Sequence, residues 1–314
     1  MLDLSKLHVI TMISNPVRYK SRYALYNQFK QHMADSGVNF WTCELAFGKR
    51  PWEVVQPGDP LGLPLRTSSE LWHKENALNL LVQRLPADWQ YVAWVDADIA
   101  FDNWRGDSAW YVETVQQLQH YKIVQLFQSA IDLDPTGNVI PGAVHMGFAY
   151  AYATGKTYGK GYTHWHPGYA WAMRRDAWDA TGGLIDWAIL GAADNHMAHA
   201  WIGRVLDSVN SKASGPYFKA LQAYQDQCEH HIRRDIGYVN GTIRHYWHGK
   251  KRDRRYWDRW KILTDTQFDP GQDIKRDWQG VYQLADHHDM RSIILRDRIR
   301  DYFRSRNEDS SDLE

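Results

Sequence analysis

The first third of the chain alternates between strand-like and helix-like sequence patterns, and this alternation limits the folds open to it. Apolar strand patterns lie at residues 7–13, 38–45 and 91–95, and amphipathic helix patterns at residues 17–36 and 69–84 separate them. Helices between successive strands let those strands pair in parallel, so the order predicts an α/β fold built on a largely parallel sheet. Such sheets bind their ligands at the carboxyl ends of the strands.

The second half of the chain has a less regular pattern. Residues 122–127 are mostly apolar and typical of a strand. Phe148, Tyr150 and Tyr152 alternate with alanines as they would along another strand. A helix pattern follows at residues 194–205. We therefore expect this half to add strands and helices to the same layered fold.

Composition excludes several classes of protein. The 314 residues include 37 basic and 37 acidic side chains, so no net charge draws the chain to nucleic acid or an anionic membrane. The two cysteines, Cys43 and Cys228, are too few for a disulfide scaffold or a zinc ribbon, and we expect them in the core. The 16 Trp and 18 Tyr exceed the needs of a core and are typical of surfaces that bind flat or sugar-like ligands.

The sequence also predicts the setting of the protein. Residues 1–6 lack the basic and apolar regions of a signal peptide. The longest uncharged run, residues 135–155, contains prolines and glycines that do not suit a membrane-spanning helix. We therefore expect no membrane span and a cytoplasmic location.

Two carboxylates, Asp96 and Asp98, follow the third strand directly. Residues two apart on a strand point to the same side, and the strand end places them at the expected ligand site. Carboxylate oxygens there suit a divalent cation that bridges the phosphates of a nucleotide. The alternative interpretation is a solvated turn, because Asp-x-Asp is common by chance.

A second candidate for metal binding is the pair His245 and His248. Side chains three residues apart share one face of a helix and also meet in tight turns, so both rings can reach one ion. A site that combines imidazole nitrogen with carboxylate oxygen favours Mn²⁺ over Mg²⁺. With 15 histidines in the chain, a chance pair is the competing interpretation.

Short motifs along the chain share their order with one enzyme family. They are Asn15-Pro16-Val17-Arg18, the segment from Lys74 to Asn79, His166-Pro167-Gly168, Gly182-Gly183, Gly191-Ala192-Ala193-Asp194, and His245-x-x-His248 with Arg255-Tyr256 and Asp258-Arg259. This order resembles that of metal-dependent glycosyltransferases of the GT-A fold, particularly the β-1,4-galactosyltransferase family. The resemblance spans residues 7–262 as a set of separate motifs.

The resemblance implies an α/β fold of the GT-A type, a Rossmann-like mixed sheet flanked by helices. It implies a catalytic domain over residues 1–265, with a nucleotide-binding half at 1–103 and an acceptor and metal half at 104–265. Residues 266–314, beyond the resemblance, are expected to form a C-terminal helical extension. Its last ten or so residues, with Glu308, Asp309, Asp312 and Glu314, indicate a disordered and solvated acidic tail.

The resemblance also assigns roles to individual residues. Asp98, His245 and His248 would hold the metal, Mn²⁺ or Mg²⁺. Asp194 would take the proton of the acceptor as catalytic base. The other family positions would contact the nucleotide-sugar donor, with Asp96 on the ribose or the metal; they are Ser14, Asn15, Arg18, Arg22, Lys74, Asp96 and Gly168.

One position departs from the family pattern. Where the family has a Glu before the catalytic Asp, this chain has Ala193, so the usual contact to the acceptor sugar is missing. The expected function is transfer of a sugar from a nucleotide-sugar donor, a UDP-sugar in first place, to a hydroxyl acceptor with inversion. The acceptor stays open between a glycan, a small molecule and a modified base in DNA. A non-catalytic sugar- or nucleotide-binding module and a nucleotidyltransferase are the alternative functions.

Three features have structural explanations beside functional ones. Asp194 would also serve as the N-cap of a helix. The glycine-containing segment 155–161 is typical either of a lid over the donor or of a surface loop. The basic and aromatic stretch 244–260 suits a nucleic-acid contact, a diphosphate contact or a solvated face.

Overall fold

The structure, a computed structural model, describes residues 2–156, 165–286 and 288–313. In these ranges the strands are β1 Leu7–Ser14, β2 Asn39–Phe47, β3 Gly62–Thr67, β4 Tyr91–Val95, β5 Ile99–Phe101, β6 Ile123–Gln125, β7 Ser129–Leu133, β8 Val139–Met146, β9 Ala170–Arg174, β10 Ile236–Tyr238, β11 Thr242–His245, β12 Ile274–Arg276 and β13 Tyr282–Leu284. The α-helices are α1 Lys20–Ser36, α2 Lys74–Val82, α3 Trp110–Gln117, α4 Phe148–Ala153, α5 Arg175–Thr181, α6 Ala193–Trp201, α7 Gly215–His231, α8 Trp260–Asp265 and α9 Met290–Ser305. Most of the predicted lid or loop at 155–161 lies outside the described residues.

The main sheet has seven strands in the order β10-β6-β9-β4-β1-β2-β3. β1 pairs in parallel with β2 and β4, as the alternation of strand and helix patterns predicts. β9 is antiparallel to both of its neighbours, β4 and β6, so the sheet is mixed. The predicted α/β fold with a mixed sheet flanked by helices is therefore confirmed.

A second sheet, in the order β5-β11-β7-β8, builds the region that follows β4. β5 and β11 are antiparallel, and their register places His245 opposite Ile99. Because Ile99 directly follows Asp98, this pairing joins two segments that are far apart in the sequence. It is the feature of the fold that assembles the candidate site.

The hydrophobic core includes the C-terminal region. Leu295, Ile299 and Phe303 on α9 belong to the same buried cluster as Ile10 on β1. Cys43 and Cys228 are both free and buried, as expected of core thiols. Among the described residues, no helix combines the length and the apolar character that crossing a membrane requires.

The strand predicted from the alternation of Phe148, Tyr150 and Tyr152 is wrong, because these residues lie on α4. The backbone N–H of Ala151 donates to the carbonyl of Gly147, which is the helical pattern of hydrogen bonds. The buried positions are Phe148, Ala149 and Ala151, so the core contacts do not follow the aromatic alternation. An alternation over five residues is too short to distinguish a strand from a small helix.

The prediction of a disordered, solvated acidic tail is wrong for Glu308, which is 1% exposed. Its carboxylate accepts hydrogen bonds from Arg22 at 2.7 Å and from Arg306 at 2.6 Å. These two guanidinium groups draw the acidic residue inward, since a buried carboxylate needs a cationic partner. The boundary predicted between residues 1–265 and 266–314 stays a prediction.

Candidate active site

A cleft opens at the carboxyl ends of β1 and β4, where the sequence predicts ligand binding. Its walls come from the first turns of α1, α2 and α6, from the chain after β11, and from the chain after α9. The predicted site residues that line it are Ser14, Arg22, Lys74, Asp96, Asp98, Asp194, His245 and His248. The fold thus brings most of the predicted residues into one place.

Asp98, His245 and His248 form a compact group in this cleft, with one potential ligand atom of each within 4.8 Å of the others. The Nε2 atom of His248 is 3.0 Å from Oδ2 of Asp98 and 3.1 Å from Nε2 of His245. The backbone N–H of Tyr246 donates to the carbonyl of Asp98 at 2.8 Å, which extends the β5–β11 pairing to this point. Sheet pairing therefore positions the group.

This donor set fits a divalent cation. The second carboxylate oxygen of Asp98, Oδ1, is buried and has no hydrogen-bond partner among the described residues, which is costly for a polar atom. Burial lowers the pKa of His248 to about 4, so its ring is neutral at pH 7 and offers a lone pair. Arg254 donates from Nη2 to Nε2 of His248 at 3.0 Å, and a cation bound by His248 would replace that contact.

Asp132 lies behind this group and was not among the residues that the sequence indicates. Its Oδ1 accepts from Nδ1 of His245 at 2.8 Å, and its Oδ2 accepts from Nε2 of His145 at 2.6 Å. Burial would raise the pKa of Asp132, but the hydrogen bonds from His145 and His245 and the ammonium of Lys251 lower it strongly. Asp132 is therefore a buried anion that orients His245, an arrangement common behind metal-binding histidines.

Asp96 and Asp98 have different partners in the cleft. Asp96 forms an ion pair with Lys74, whereas Asp98 faces His248. Burial and the neighbouring Asp98 raise the pKa of Asp96, although Lys74 opposes this. The common orientation expected for a strand does not apply, because β4 ends at Val95 and both acids lie in the turn that follows.

Glu75 is a second cleft residue that the sequence did not indicate. It lies in the first turn of α2 and is 4% exposed, yet it lines the cleft together with Lys74 and Asp194. Burial raises its pKa to about 7; the charge of Lys74 opposes this, and that of Asp194 adds to it. Near neutral pH this carboxyl group can therefore either donate or accept a hydrogen bond.

Asp194 lies in the first turn of α6 and faces the cleft. The N-cap position belongs to Ala192, so the N-cap interpretation of Asp194 is wrong; its Oδ1 accepts instead from the N–H of Asn195 at 2.8 Å. A Cβ atom on Gly168 would lie 2.7 Å from Oδ2 of Asp194. Gly168 therefore leaves the space that the Asp194 carboxylate occupies.

The predicted site residues in and near the turn between β1 and α1 line two different cavities. Ser14 and Arg22 line the cleft, whereas Asn15 and Arg18 line a separate small cavity. The Asn15 side chain is 5% exposed and holds the backbone of Tyr19 through two hydrogen bonds of 2.8 and 2.9 Å. The structure thus gives Asn15 a role in shaping the turn and does not bring Asn15 or Arg18 to the donor side.

The basic stretch 244–260 forms many of its contacts within the chain. Arg244 pairs with Asp102, Lys250 with Asp312, and Lys251 with the buried Asp132; the charge of this stretch is thus partly neutralised. The aromatic residues of the same stretch lie in different environments: Trp257 is 77% exposed, whereas Trp260 packs against the core. These pairings weaken the interpretation of this stretch as a continuous phosphate-binding surface.

No protein-family model matches this chain, and no curated protein sequence matches it. Similar solved structures include the catalytic domain of Drosophila β-1,4-galactosyltransferase 7 in complex with xylobiose, at 13% identity and a TM-score of 0.30; the match covers 61% of this chain and 58% of that one. A point mutant of the same Drosophila enzyme, in complex with manganese, UDP-Gal and xylobiose, has 11% identity and a TM-score of 0.38, with 90% of this chain and 95% of that one covered. Both belong to the family that the sequence motifs resemble.

Proposed function

We propose that this chain is a metal-dependent glycosyltransferase that moves a sugar from a nucleotide-sugar donor to a hydroxyl acceptor. The observation that carries the proposal is the group of Asp98, His245 and His248 in the same cleft as Asp194. A carboxylate with two imidazole nitrogens suits Mn²⁺, which we take as the cofactor, with Mg²⁺ as the weaker alternative. A UDP-sugar is the donor we expect in first place.

Cleavage of the bond between a sugar and a diphosphate builds negative charge on the leaving diphosphate. A divalent cation held by Asp98, His245 and His248 would supply Lewis-acid stabilisation of that charge. Arg254, next to His248, adds a buried positive charge on the same side of the cleft. Fixed charges in a water-poor cleft act more strongly than they do in bulk water.

Asp194 is the catalytic base in this proposal. It accepts the proton of the acceptor hydroxyl as that oxygen forms a bond to the anomeric carbon and the bond to the diphosphate breaks. The single displacement inverts the anomeric configuration, and general-base catalysis of this kind contributes roughly 10²–10⁴-fold in rate. Space for the Asp194 carboxylate depends on Gly168, as the close approach of its missing Cβ indicates.

The acceptor is the least specified part of the proposal, because Ala193 stands where the family has its acceptor-binding Glu. A glycan, a small molecule and a modified base in DNA remain the candidates. The internal ion pairs of Arg244, Lys250 and Lys251 weaken the case for DNA, since they remove charge that a phosphate backbone would use.

The variants Asp98→Ala and His248→Ala test the metal assignment. Purified protein is incubated with UDP- and GDP-sugars and MnCl₂, and release of the nucleoside diphosphate is measured with and without EDTA. We expect wild type to consume its donor only with metal, and each variant to lose about 10²-fold or more of that rate. As control, Asp102→Ala removes an acid that pairs with Arg244 at the surface and should keep the activity.

Full activity in EDTA, or unimpaired turnover in both variants, would contradict the metal assignment. Donor binding without any donor consumption would favour the non-catalytic binding module. Release of pyrophosphate from a nucleoside triphosphate and a sugar phosphate would favour the nucleotidyltransferase.

A further inference from the structure

The chain after α9 returns to the cleft and forms part of its wall. Phe303, Arg306 and Glu308 line the cleft, and Arg306 is only 5% exposed. Glu308 accepts hydrogen bonds from Arg306 on its own segment and from Arg22 on α1. This segment lies outside residues 7–262, over which the motifs resemble the glycosyltransferase family, so the resemblance assigns it no role.

The C-terminal segment is fixed to the cleft from two sides. The carboxylate of Asp309 accepts from the backbone N–H groups of Lys20 and Ser21, the first two residues of α1, at 3.0 and 2.8 Å. On the other side, the indole N–H of Trp247 donates to the carbonyl of Ser310 at 2.6 Å. The segment therefore bridges the helix after β1 and the turn that carries His248.

Arg306 joins two further buried guanidinium groups, those of Arg254 and Arg259, which are 9% and 8% exposed. Arg259 and Arg306 both donate to the hydroxyl of Tyr302, at 3.3 and 3.2 Å. The Arg306 guanidinium also lies 5.3 Å from the ring centroid of Trp72. All three arginines line the cleft, and Arg254 contacts His248.

Positive charge exceeds negative charge along this wall. The cleft is also lined by Glu75, Asp96 and Asp194, whose charges act on Lys74. The described carboxylates that interact with the arginines of this wall are Glu308, shared by Arg22 and Arg306, and Asp98, which belongs to the candidate metal site. Burial would raise the pKa of Tyr302, but the charges of Arg306 and Arg259 outweigh burial and lower it. Buried charge is costly unless it is paired, so an anion with more than one charge would stabilise this wall.

Arg254 lines the cleft and also has hydrogen-bonding capacity that the described residues do not use. Its buried Nε has no hydrogen-bond partner among the described residues. Its Nη2 donates to the ring nitrogen of His248 that a cation would take, so metal binding would leave this N–H group for an anion. Guanidinium groups match phosphate oxygens with paired N–H donors.

We infer that the C-terminal segment completes the donor site: Arg306, together with Arg254 and Arg259, binds the diphosphate of the donor, and Glu308 holds Arg306 and Arg22 in position. The inference rests on the proposed function for the identity of the donor. Inorganic pyrophosphate carries the same charged groups and serves as a probe that is independent of the nucleoside.

The variants Arg306→Ala and Arg306→Lys test the inference by calorimetric titration with UDP, with inorganic pyrophosphate and with Mn²⁺ alone. In the presence of MnCl₂ we expect Arg306→Ala to bind UDP and pyrophosphate about tenfold more weakly or worse. Arg306→Lys should lie between wild type and Arg306→Ala, because an ammonium keeps the charge but lacks the planar pair of donors. The affinity for Mn²⁺ alone should stay at the wild-type value in both variants. Arg306→Ala should melt at a lower temperature because it breaks the buried pair with Glu308, whereas Arg306→Lys keeps the charge and should melt close to wild type.

Arg304→Ala is the matched control, since Arg304 lies near the end of the same helix and pairs with Glu70 outside the cleft. It should leave all three affinities unchanged. Glu308→Gln should also weaken UDP and pyrophosphate binding; tighter binding would mean that Glu308 competes with the donor and would overturn its positioning role.

Unchanged UDP and pyrophosphate binding in Arg306→Ala would overturn the inference while leaving the proposed function intact. If both Arg306 variants lost Mn²⁺ affinity or melting temperature in parallel with donor binding, Arg306 would have a structural role and the inference would be overturned. If wild type binds Mn²⁺ but neither UDP, GDP nor pyrophosphate, the inference fails together with the donor assignment of the proposed function.

Discussion

Asp132 orients His245, a candidate metal ligand, but does not belong to the candidate metal group itself. Because it accepts from Nδ1 of His245, it favours the tautomer with the hydrogen on Nδ1 and directs Nε2 of that ring toward Asp98 and His248. Asp132→Asn removes the anion that fixes this tautomer, and we expect Mn²⁺ affinity to fall by about 10–100-fold. Titration with MnCl₂ followed by electron paramagnetic resonance measures the effect.

The control for Asp132→Asn is Asp102→Asn, which removes an acid that pairs with Arg244 on the exposed side of the neighbouring strand. Its Mn²⁺ affinity should match that of wild type. Equal affinities in wild type and Asp132→Asn would mean that the buried carboxylate serves only the packing around His145 and Lys251.

Glu75 links the cleft to the pH dependence of stability. Its pKa rises from 4.5 to about 7, chiefly through burial, so the folded protein holds this proton more tightly than the unfolded chain does. The stability that the group contributes is complete below pH 4.5 and is lost as pH rises through 7. A shift of this size corresponds to roughly 3 kcal/mol.

Glu75→Gln removes this titration and supplies the test. We expect the free energy of unfolding of wild type, relative to that of Glu75→Gln, to fall between about pH 5 and pH 7, where the unfolded chain has released the Glu75 proton and the folded protein still holds it. Above the folded pKa of about 7 the difference should level off, because both states are then ionised. Urea unfolding at several pH values measures the difference. A difference that does not change with pH would show that Glu75 ionises in the fold as readily as in the unfolded chain.

Single residues could be predicted from the sequence where their chemistry and spacing stand out. Asp98 and the pair His245 and His248 are of this kind, and the structure brings them together. Asp132 and Glu75 could not be predicted, because one acid within an apolar strand or helix has no distinctive pattern. Their roles depend on which side chains the fold places against them.

At the scale of the elements, the start of α6 determines where Asp194 lies. Ala192, immediately before the helix, has φ of 77°, in the left-handed region that costs a residue with a Cβ roughly 1–2 kcal/mol. Strained backbone of this kind persists only where the surroundings enforce it, and it concentrates at functional sites. This turn of the chain directs the first residues of α6 toward the cleft.

Asp194→Asn tests what the position is used for. The variant should keep Mn²⁺ and UDP binding, because neither the metal group nor the arginines are altered, while donor turnover falls by about 10²–10⁴-fold. Asp179→Asn, on α5 and outside the cleft, removes an exposed acid that pairs with Arg175 and should turn over normally. Normal turnover by Asp194→Asn would contradict a catalytic role and would leave Asp194 the structural role of accepting the hydrogen bond from the N–H of Asn195.

Elements with local signals were predictable and those that depend on distant pairing were not. The parallel part of the sheet follows from strand and helix patterns that repeat within short windows of sequence. The antiparallel pairing of β5 with β11 has no such signal, since it joins short strands from distant segments. The candidate site depends on that pairing, so its residue types could be predicted but its geometry could not.

At the scale of the whole molecule, metal binding and folding are linked. Asp98 and His248 come from distant parts of the sequence, so the unfolded chain has no preformed group to bind Mn²⁺. At a free Mn²⁺ concentration about 100 times the Kd, the folded state should gain about 2.7 kcal/mol. Chemical unfolding in MnCl₂ and in EDTA measures this gain.

His248→Ala is the control for this linkage, because it removes one ligand and should unfold at the same midpoint in both buffers. An equal midpoint for wild type in MnCl₂ and EDTA would contradict tight binding of the metal to the folded chain. A gain that is equally large in His248→Ala would place the metal elsewhere on the protein.

Zero net charge, read from the sequence, conceals strong local separation in the folded molecule. Acids gather after β4, and arginines gather on the wall formed by the chain after β11 and after α9. Composition could exclude bulk attraction to polyanions, but it could not locate Glu308 among those arginines. The acidic ending of the sequence resembles a solvated tail until its arginine partners are known.

The hydrogen bonds of Asp309 to the first turn of α1 have a consequence for folding during synthesis. During synthesis α1 leaves the ribosome well before the carboxylate that binds its first backbone N–H groups, because Asp309 follows Lys20 by 289 residues. Domains generally fold as units, and this helix gains its contacts with Asp309 only after residues 306–310 are released. The arginine wall is therefore completed only after residues 306–310 emerge, and a nascent chain that lacks them carries the candidate metal ligands without a finished cleft.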